Sequence, residues 1–347
     1  MIKYIGSKRV LMPVIEKLAS ASGAETALDL FTGTTRVARA LKSTGMHVTA
    51  SDSASYSRVF AQTWIALDRT QVNLAELDEA LAELNAIEGQ HGYFTQKFCI
   101  EARYFQVGNG ERIDAIRERI ESDYKGSWLY EPLLTSLMLA ADRVDSTTGL
   151  QMAYLKSYAS RSFRTLELRD PGLMVGDGVA LQGDAIELSA TLPEYDLVYL
   201  DPPYNQHRYF SNYHIWESLV RWDKPETYGV ANKRLDARDA TMKSPFNSRL
   251  TMADALRKTV SQLKAKTMML SYNNEAWLSR AELFEIAEQI GEVRILDFDS
   301  RRYVGSQIGG FNLQGTRVSD PGHKQNIEHI VLAGATDTLD RMQAALG

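Results

Sequence analysis

Residues 196–204 read Asp196-Leu197-Val198-Tyr199-Leu200-Asp201-Pro202-Pro203-Tyr204. Apolar and β-branched residues run as far as Leu200, and turn chemistry begins at Asp201, the pattern of a buried strand that stops abruptly. An acceptor carboxylate, two prolines and an aromatic ring follow the strand in order. An ordinary turn also favours Asp and Pro, so the surroundings of this tetrapeptide decide its meaning.

These residue types suit an exocyclic aromatic amine such as adenine N6. That nitrogen is a poor nucleophile because its lone pair is delocalised into the ring. Asp201 accepts a hydrogen bond from one N–H, and the main-chain carbonyl of Pro202 accepts from the other. Both together favour a pyramidal nitrogen with its lone pair aimed at an incoming methyl group. Proline fixes φ and biases its predecessor toward extended geometry, so Pro202 and Pro203 hold the carbonyls in one orientation. Tyr204 offers a face on which a base stacks, worth about 1–3 kcal/mol. Placing nitrogen, methyl carbon and sulfur in line is the positional part of catalysis.

Six more segments have strand character: 26–31, 47–52, 179–184, 267–272, 293–298 and 329–333. Helical patterns at 8–18, 35–42, 54–66, 212–222, 252–263 and 280–289 fall between most of them. In the first, Val10, Leu11, Val14, Ile15 and Leu18 share one face. This alternation predicts an α/β fold, a doubly wound, seven-stranded, Rossmann-like sheet. The helical signal before the last strand is weak, which allows that strand to enter antiparallel. Residues 68–175 carry helical patterns at 74–87, 113–120 and 132–144 and no convincing strand. They read as a helical insertion between core segments 1–67 and 176–340. Residues 205–250 are polar, with many aromatic and basic side chains; unstructured stretches of that length are usually functional or disordered.

Ligands of an open parallel sheet bind beyond the carboxyl ends of its strands. Strand one ends in Asp29-Leu30-Phe31-Thr32-Gly33-Thr34-Thr35, where small residues let the backbone approach a ligand closely. Strand two ends at Asp52, about 20 residues after that turn, where an acid holds ribose hydroxyls. Strand three ends in Gly183-Asp184-Ala185, whose carboxylate is placed to accept from an adenine amine. The turn after strand one is not Gly-x-Gly-x-x-Gly, because Thr35 stands where a second glycine is expected, and it lacks a P-loop lysine. A cofactor with ribose and adenine but no phosphate fits better, and S-adenosylmethionine is that cofactor. Each carboxylate alone also reads as a helix cap or turn residue.

With 347 residues, 44% of them hydrophobic, the chain is long enough for two domains or one large domain with an insertion. No apolar run reaches membrane-spanning length. Residues 1–6 lack the apolar stretch of a signal peptide, and the lone Cys99 fits a reducing compartment, so a cytoplasmic protein is expected. Cys99 itself reads as a small buried hydrophobe. A net charge of −5 argues against a non-specific nucleic-acid coat but not against a nucleic-acid enzyme with a local basic surface. Basic residues gather at Lys156, Arg161, Arg164 and Arg169, and again at Lys233, Arg234, Arg238, Lys243 and Arg249; solvated surface is the plain alternative for each group.

At this point the chain resembles the D12-class amino DNA methyltransferases, the family of Dam-like N6-adenine methylases. Lys3-Tyr4-Ile5-Gly6-Ser7-Lys8 is similar to the family's Lys-aromatic-x-Gly-Gly-Lys segment, and the turn at Phe31 and Gly33 matches the first half of its Phe-x-Gly-x-Gly motif. Asp52 falls at the ribose acid, Asp201–Tyr204 at the catalytic motif, and Leu270-Ser271-Tyr272-Asn273 at the end of strand five. The order, with the Tyr4–Lys8 segment first and a long insertion before the catalytic motif, is that of the alpha group. Residues 204–209 with Tyr213-His214, 224–229 and 302–307 look like the branch of FokI-type modification methylases.

The resemblance implies a site-specific adenine-N6 DNA methyltransferase that takes its target base out of the duplex, at a cost of a few kcal/mol. It implies that Tyr4 and Lys8 contact the methionine part of S-adenosylmethionine, with Asp29, Phe31, Gly33, Asp52, Asp184 and Asp201 around the rest. The insertion and residues 205–250 would grip double-stranded DNA, with Arg161, Arg164, His207, Arg208, Lys233 and Arg234 as candidate contacts. A cognate restriction endonuclease is a candidate partner, and the residues leave monomer and dimer equally open. His207 and His214 do not make a metal pair, since they lack cysteine or carboxylate partners at ligand spacing, and direct methyl transfer needs no metal. The competing activities are methylation of cytosine N4, of RNA or of a protein glutamine, and DNA binding without turnover. Cytosine N4 enzymes usually carry Ser-Pro-Pro-Tyr and the glutamine enzymes Asn-Pro-Pro-Tyr, so Asp201 favours adenine.

Overall fold

The computed structural model describes residues 2–4, 8–147, 149–203, 209–239, 243–301 and 325–347. Its strands are β1 (Thr26–Asp29), β2 (His47–Asp52), β3 (Gly178–Gln182), β4 (Tyr195–Leu200), β5 (Thr227–Tyr228), β6 (Lys233–Arg234), β7 (Ala265–Asn273), β8 (Glu292–Arg301) and β9 (Gln325–Gly334). All seven expected strands are present. They form one sheet of order β3-β2-β1-β4-β7-β9-β8, while β5 and β6 make a separate ribbon. Pairing is parallel from β1 through β2 to β3 and between β4 and β7. β9 runs antiparallel to both β7 and β8, as the weak helical signal before it allowed. Nearly every residue of β1, β2, β4 and β7 is buried, whichever face it points to. Burial on both faces is what a largely parallel sheet imposes on its central strands.

The chain packs as two compact units. The first comprises Met1–Arg9, Glu25–Leu188 and His207–Ser244. The helices of residues 68–175, namely Leu74–Ala86, Val107–Arg119 and Tyr130–Val144, pack within this unit and not apart from it. Its aromatic core includes Phe60 stacked on Trp64 at 5.1 Å and Phe94 edge-on to Phe98 and tilted against Phe105. Gly110 lets helix Val107–Arg119 lie close to Cys99, because a Cβ there would stand 2.3 Å from the sulfur. Cys99 is thus the buried hydrophobe its sequence context suggested, and burial raises the pKa of its thiol. Buried Lys42 closes one helix end by donating to the carbonyls of Trp64, Ile65 and Leu67, and desolvation lowers its pKa to about 8.

The second unit comprises Val10–Ala24, Ser189–Gln206 and Pro245–Gly347. It carries β4, β7, β8 and β9, and helix Met12–Ser22 packs on helix Thr336–Ala344. Pro13 opens the first of these and Gly23, at φ 73°, closes it, the usual asymmetry of helix ends. Ser279 and Glu282 form a reciprocal capping box at the start of helix Arg280–Ala287. Among the described residues no helix is long and apolar enough to cross a membrane.

Candidate active site

In the first unit the turn after β1 is organised from both sides by carboxylates. Asp29, fully buried, accepts from the Thr32 hydroxyl at 2.9 Å and from the Ala38 main-chain N–H at 3.0 Å. It ties the turn to the start of helix Arg36–Ser43, so the hydrogen bonds seen for it organise the turn itself. Gly33 adopts φ +51°, and its N–H donates to Asp52 at 2.9 Å. The second oxygen of Asp52 accepts from the Ala54 N–H at 3.0 Å. Burial raises the pKa of Asp52, and these N–H groups pull it back down. Thr35, where a second glycine was expected, takes φ +60° itself, an uncommon conformation for a β-branched residue.

Tyr4 lies against this turn. A Cβ on Gly33 would approach the Tyr4 ring to 3.1 Å, so the turn requires glycine for contact as well as for φ. The Tyr4 ring stacks on Tyr213 at 4.6 Å and on Tyr209 at 5.4 Å. Burial first, then the neighbouring Tyr56 and Asp52, holds its hydroxyl well above the ordinary tyrosine pKa. Lys3 anchors the segment, its Nζ donating to the Asp142 carbonyl at 2.6 Å and to Asp145 at 3.0 Å. Lys8 is buried in the short turn Lys8–Val10, and Phe31 is partly exposed. Sequence reasoning missed Tyr56 and Tyr209, although the spacing of Tyr209, Tyr213 and Glu217 by four along a helical pattern signals a shared face.

Asp184 is exposed and accepts from the N–H groups of Ile186 and Glu187 at 2.9 and 3.3 Å. Its observed bonds are those of a helix cap. In the second unit, Asp201, Pro202 and Pro203 follow β4 directly, with Pro202 buried and its neighbours partly so. Tyr204, His207 and Arg208 lie outside the described residues, as do residues 5–7 and 302–307.

The structure pairs two of the candidate DNA contacts with carboxylates. Arg234 is 1% exposed and makes paired hydrogen bonds to Asp223 at 2.7 and 2.6 Å and to Asp236 at 3.0 and 2.7 Å. Two carboxylates neutralise it inside the unit, and their bonds raise the guanidinium pKa despite the desolvation. Arg161 donates to Asp145 at 2.8 Å, the same carboxylate that holds Lys3, so it braces the N-terminal segment. Arg164 is exposed and Lys233 partly so.

Exposed aromatic and basic groups stand near each of them in sequence. Phe163 is 71% exposed, with Tyr158 edge-on to it at 6.3 Å, and the Arg103 guanidinium lies 5.7 Å from the Tyr154 ring. Asn109 clamps this turn by donating to the carbonyls of Ser162 and Arg164. Arg238 covers the Tyr228 ring at 4.0 Å on the β5–β6 ribbon, which Tyr104 and Asn232 fasten to neighbouring carbonyls. Residues 209–239 are therefore built from helix and ribbon, not the structureless stretch that composition suggested. His214 is buried, and its ring bonds the Gln151 carbonyl at 2.9 Å. Among the described residues no three His, Cys, Asp or Glu side chains gather as a metal site.

A largely parallel sheet of this kind, with an acid closing on a glycine turn and Asp-Pro-Pro-Tyr after a strand, defines the class of amino methyltransferases. The profile of the D12 class N6 adenine-specific DNA methyltransferases matches residues 4–286, and the chain belongs to that family. It is 31% identical over 321 residues to modification methylase StsI of Streptococcus sanguinis, covering 87% of this chain and 48% of that protein. It is 30% identical over 317 residues to the Type II methyltransferase M.NlaIII of Neisseria lactamica, covering 87% of this chain and 92% of that protein. With M.FokI of Planomicrobium okeanokoites it shares 28% identity over 328 residues, covering 87% of this chain and 50% of that protein. The chain thus spans about half the length of two of these relatives and nearly all of the third. The similarity to M.FokI agrees with the branch suggested by residues 204–214.

Proposed function

We propose that this chain methylates adenine N6 at a specific sequence in duplex DNA by direct transfer from S-adenosylmethionine. The Asp201-Pro202-Pro203-Tyr204 that follows β4, in a chain of this family, carries the reading. The bound cofactor supplies a methyl group on a sulfonium centre. Asp52 offers its carboxylate to the ribose hydroxyls, with Gly33 setting its direction. Tyr4 and Lys8 hold the methionine part, and Phe31 and Asp184 flank the adenine. Asp201 and the Pro202 carbonyl accept from the two hydrogens of the target amine. Tyr204 stacks on the flipped base, and Pro203 stiffens the support between them. Asp201 acts as a hydrogen-bond acceptor, not as a nucleophile or metal ligand.

Arg164, Lys233 and Arg238 supply phosphate contacts, with His207 and Arg208 next to the catalytic motif, while Phe163, Tyr158 and Tyr228 offer apolar faces to the duplex. A cognate restriction endonuclease is the partner such a methylase protects its host against. Its place of action is then the cytoplasm of a bacterium or of a cell infected by a virus.

Purified protein incubated with labelled S-adenosylmethionine labels duplex DNA and leaves ribosomal RNA unlabelled; label in RNA alone overturns the proposal. Asp201→Ala abolishes N6-methyladenine in the DNA of an expressing host. Tyr204→Ala loses most activity while keeping cofactor affinity, because its role is to stack the base.

A further inference from the structure

Tyr209, Tyr213 and Glu217, spaced by four, reach the supports of the turn after β1. Tyr209 and Tyr213 stack on Tyr4, and Tyr213 also meets Tyr56 edge-on at 6.1 Å. Four residues on, Glu217 is 2% exposed, and its carboxylate accepts the main-chain N–H of Ser55 at 3.1 Å across 162 residues of sequence. Ser55 is the first residue of helix Ser55–Ala61, so that N–H has no acceptor inside its own helix. The N–H just before it, of Ala54, goes to Asp52. Two carboxylates therefore close the turn 52–55, one local and one distant. Gln182 adds a third tie, its Nε2 donating at 3.1 Å to both the Ser53 carbonyl and the Ser55 hydroxyl.

We propose that Glu217 is a positioning residue for methyl transfer. By holding the Ser55 N–H it fixes the turn 52–55, and with it the direction in which Asp52 presents its carboxylate to the cofactor ribose. The role rests on reading Asp52 as the ribose acid. Removing Glu217 leaves a part-buried N–H without this acceptor, and the turn relaxes to find another.

Calorimetric titration of the full chain with S-adenosylhomocysteine tests it. Glu217→Ala raises the dissociation constant about tenfold. Glu217→Gln keeps an acceptor oxygen at the same reach and stays within about threefold of wild type. A purely structural role would lower the melting temperature of both variants and leave the affinity of the folded fraction unchanged. Ser55→Pro removes the donor instead of the acceptor. Ala54, at φ −81° and ψ 135°, already has the geometry a residue before proline needs, and proline is favoured at a first helical position, so this variant folds.

Ser55→Pro weakens binding as Glu217→Ala does, and the double variant binds no worse than either single one. Wild-type affinity in either folded single variant overturns the proposal, as do losses that multiply in the double. Should Glu217→Ala fail to fold, Ser55→Pro decides. Asp52→Ala separates this inference from the reading beneath it. Wild-type affinity there removes the ribose acid itself, whereas loss there beside wild-type affinity in Glu217→Ala removes only Glu217.

Discussion

The main-chain N–H of Gly33 donates to the Asp52 carboxylate at 2.9 Å, joining the turn after β1 to the end of the neighbouring parallel strand β2. The bond fixes the carboxylate from the glycine turn while Ala54 fixes it from the other side. With Asp52 proposed as the ribose acid, cofactor affinity is expected to depend on the backbone conformation at residue 33 as well as on the acid at 52.

Gly33→Ala tests that dependence. The φ of +51° costs an L-residue about 1–2 kcal/mol, and the new Cβ would press on the Tyr4 ring from 3.1 Å. The variant melts at a lower temperature and binds S-adenosylhomocysteine at least about tenfold more weakly, as the Asp52 bond loses its alignment. Thermal unfolding and calorimetry read the two effects separately.

Thr35 offers a comparison with an unusual sign. At φ +60° the residue is in the left-handed region, where glycine carries no Cβ penalty. Thr35→Gly and Thr35→Ala both lose the buried hydroxyl and methyl. The glycine variant is the more stable of the two by about 1 kcal/mol, the reverse of the order inside an ordinary helix. Denaturant unfolding of the pair measures the difference.

Arg234 and Arg164 separate a structural cation from a surface one. Arg234→Met takes the buried cation from Asp223 and Asp236, leaving them only the half-exposed Arg221, and destabilises the fold by about 3 kcal/mol. It does not change the slope of DNA affinity against salt. Arg164→Ala leaves stability near wild type and reduces that slope by about 1. Binding titrations at several salt concentrations, beside denaturant melts, check both halves.

His214 gives stability a pH dependence. Burial lowers its pKa from 6.5 to about 3 in the folded protein. Between those values the unfolded chain binds a proton that the folded chain does not. The contribution is complete above pH 6.5 and falls as pH drops through the window toward 3, by up to about 1.4 kcal/mol per unit. His214→Gln, whose amide still donates to the Gln151 carbonyl, removes that slope. Buried Asp52 and Glu217, with raised pKa values, act with the opposite sign in both proteins. The difference between wild type and variant from pH 4 to 7 therefore isolates His214.

The sheet was legible because its strands are short segments rich in apolar or β-branched residues and closed by turn chemistry, and both signals are local. Leu197–Leu200, His47–Asp52 and the antiparallel allowance for the last strand all rest on short-range constraints. Asp52 was legible for the same reason, as the acid that ends a strand a fixed distance after a turn. The fate of individual charges was not. Arg161 and Arg234 read as surface cations, because sequence counts charge without showing which carboxylate meets it. Asp145, Asp223 and Asp236 meet them only after the chain has folded.

Sequence alone determined the family, the strand order in the chain and the tetrapeptide at residue 201, since each follows from residue type and spacing. Tertiary structure decided that Asp29 and Asp184 make turn and cap bonds, that Thr35 occupies glycine's conformation, and that Tyr4 sits on Gly33. It also decided that Glu217 closes a helix start 162 residues away. Such a bond forms because a buried main-chain N–H must find an acceptor, and only the folded chain determines which carboxylate lies within reach.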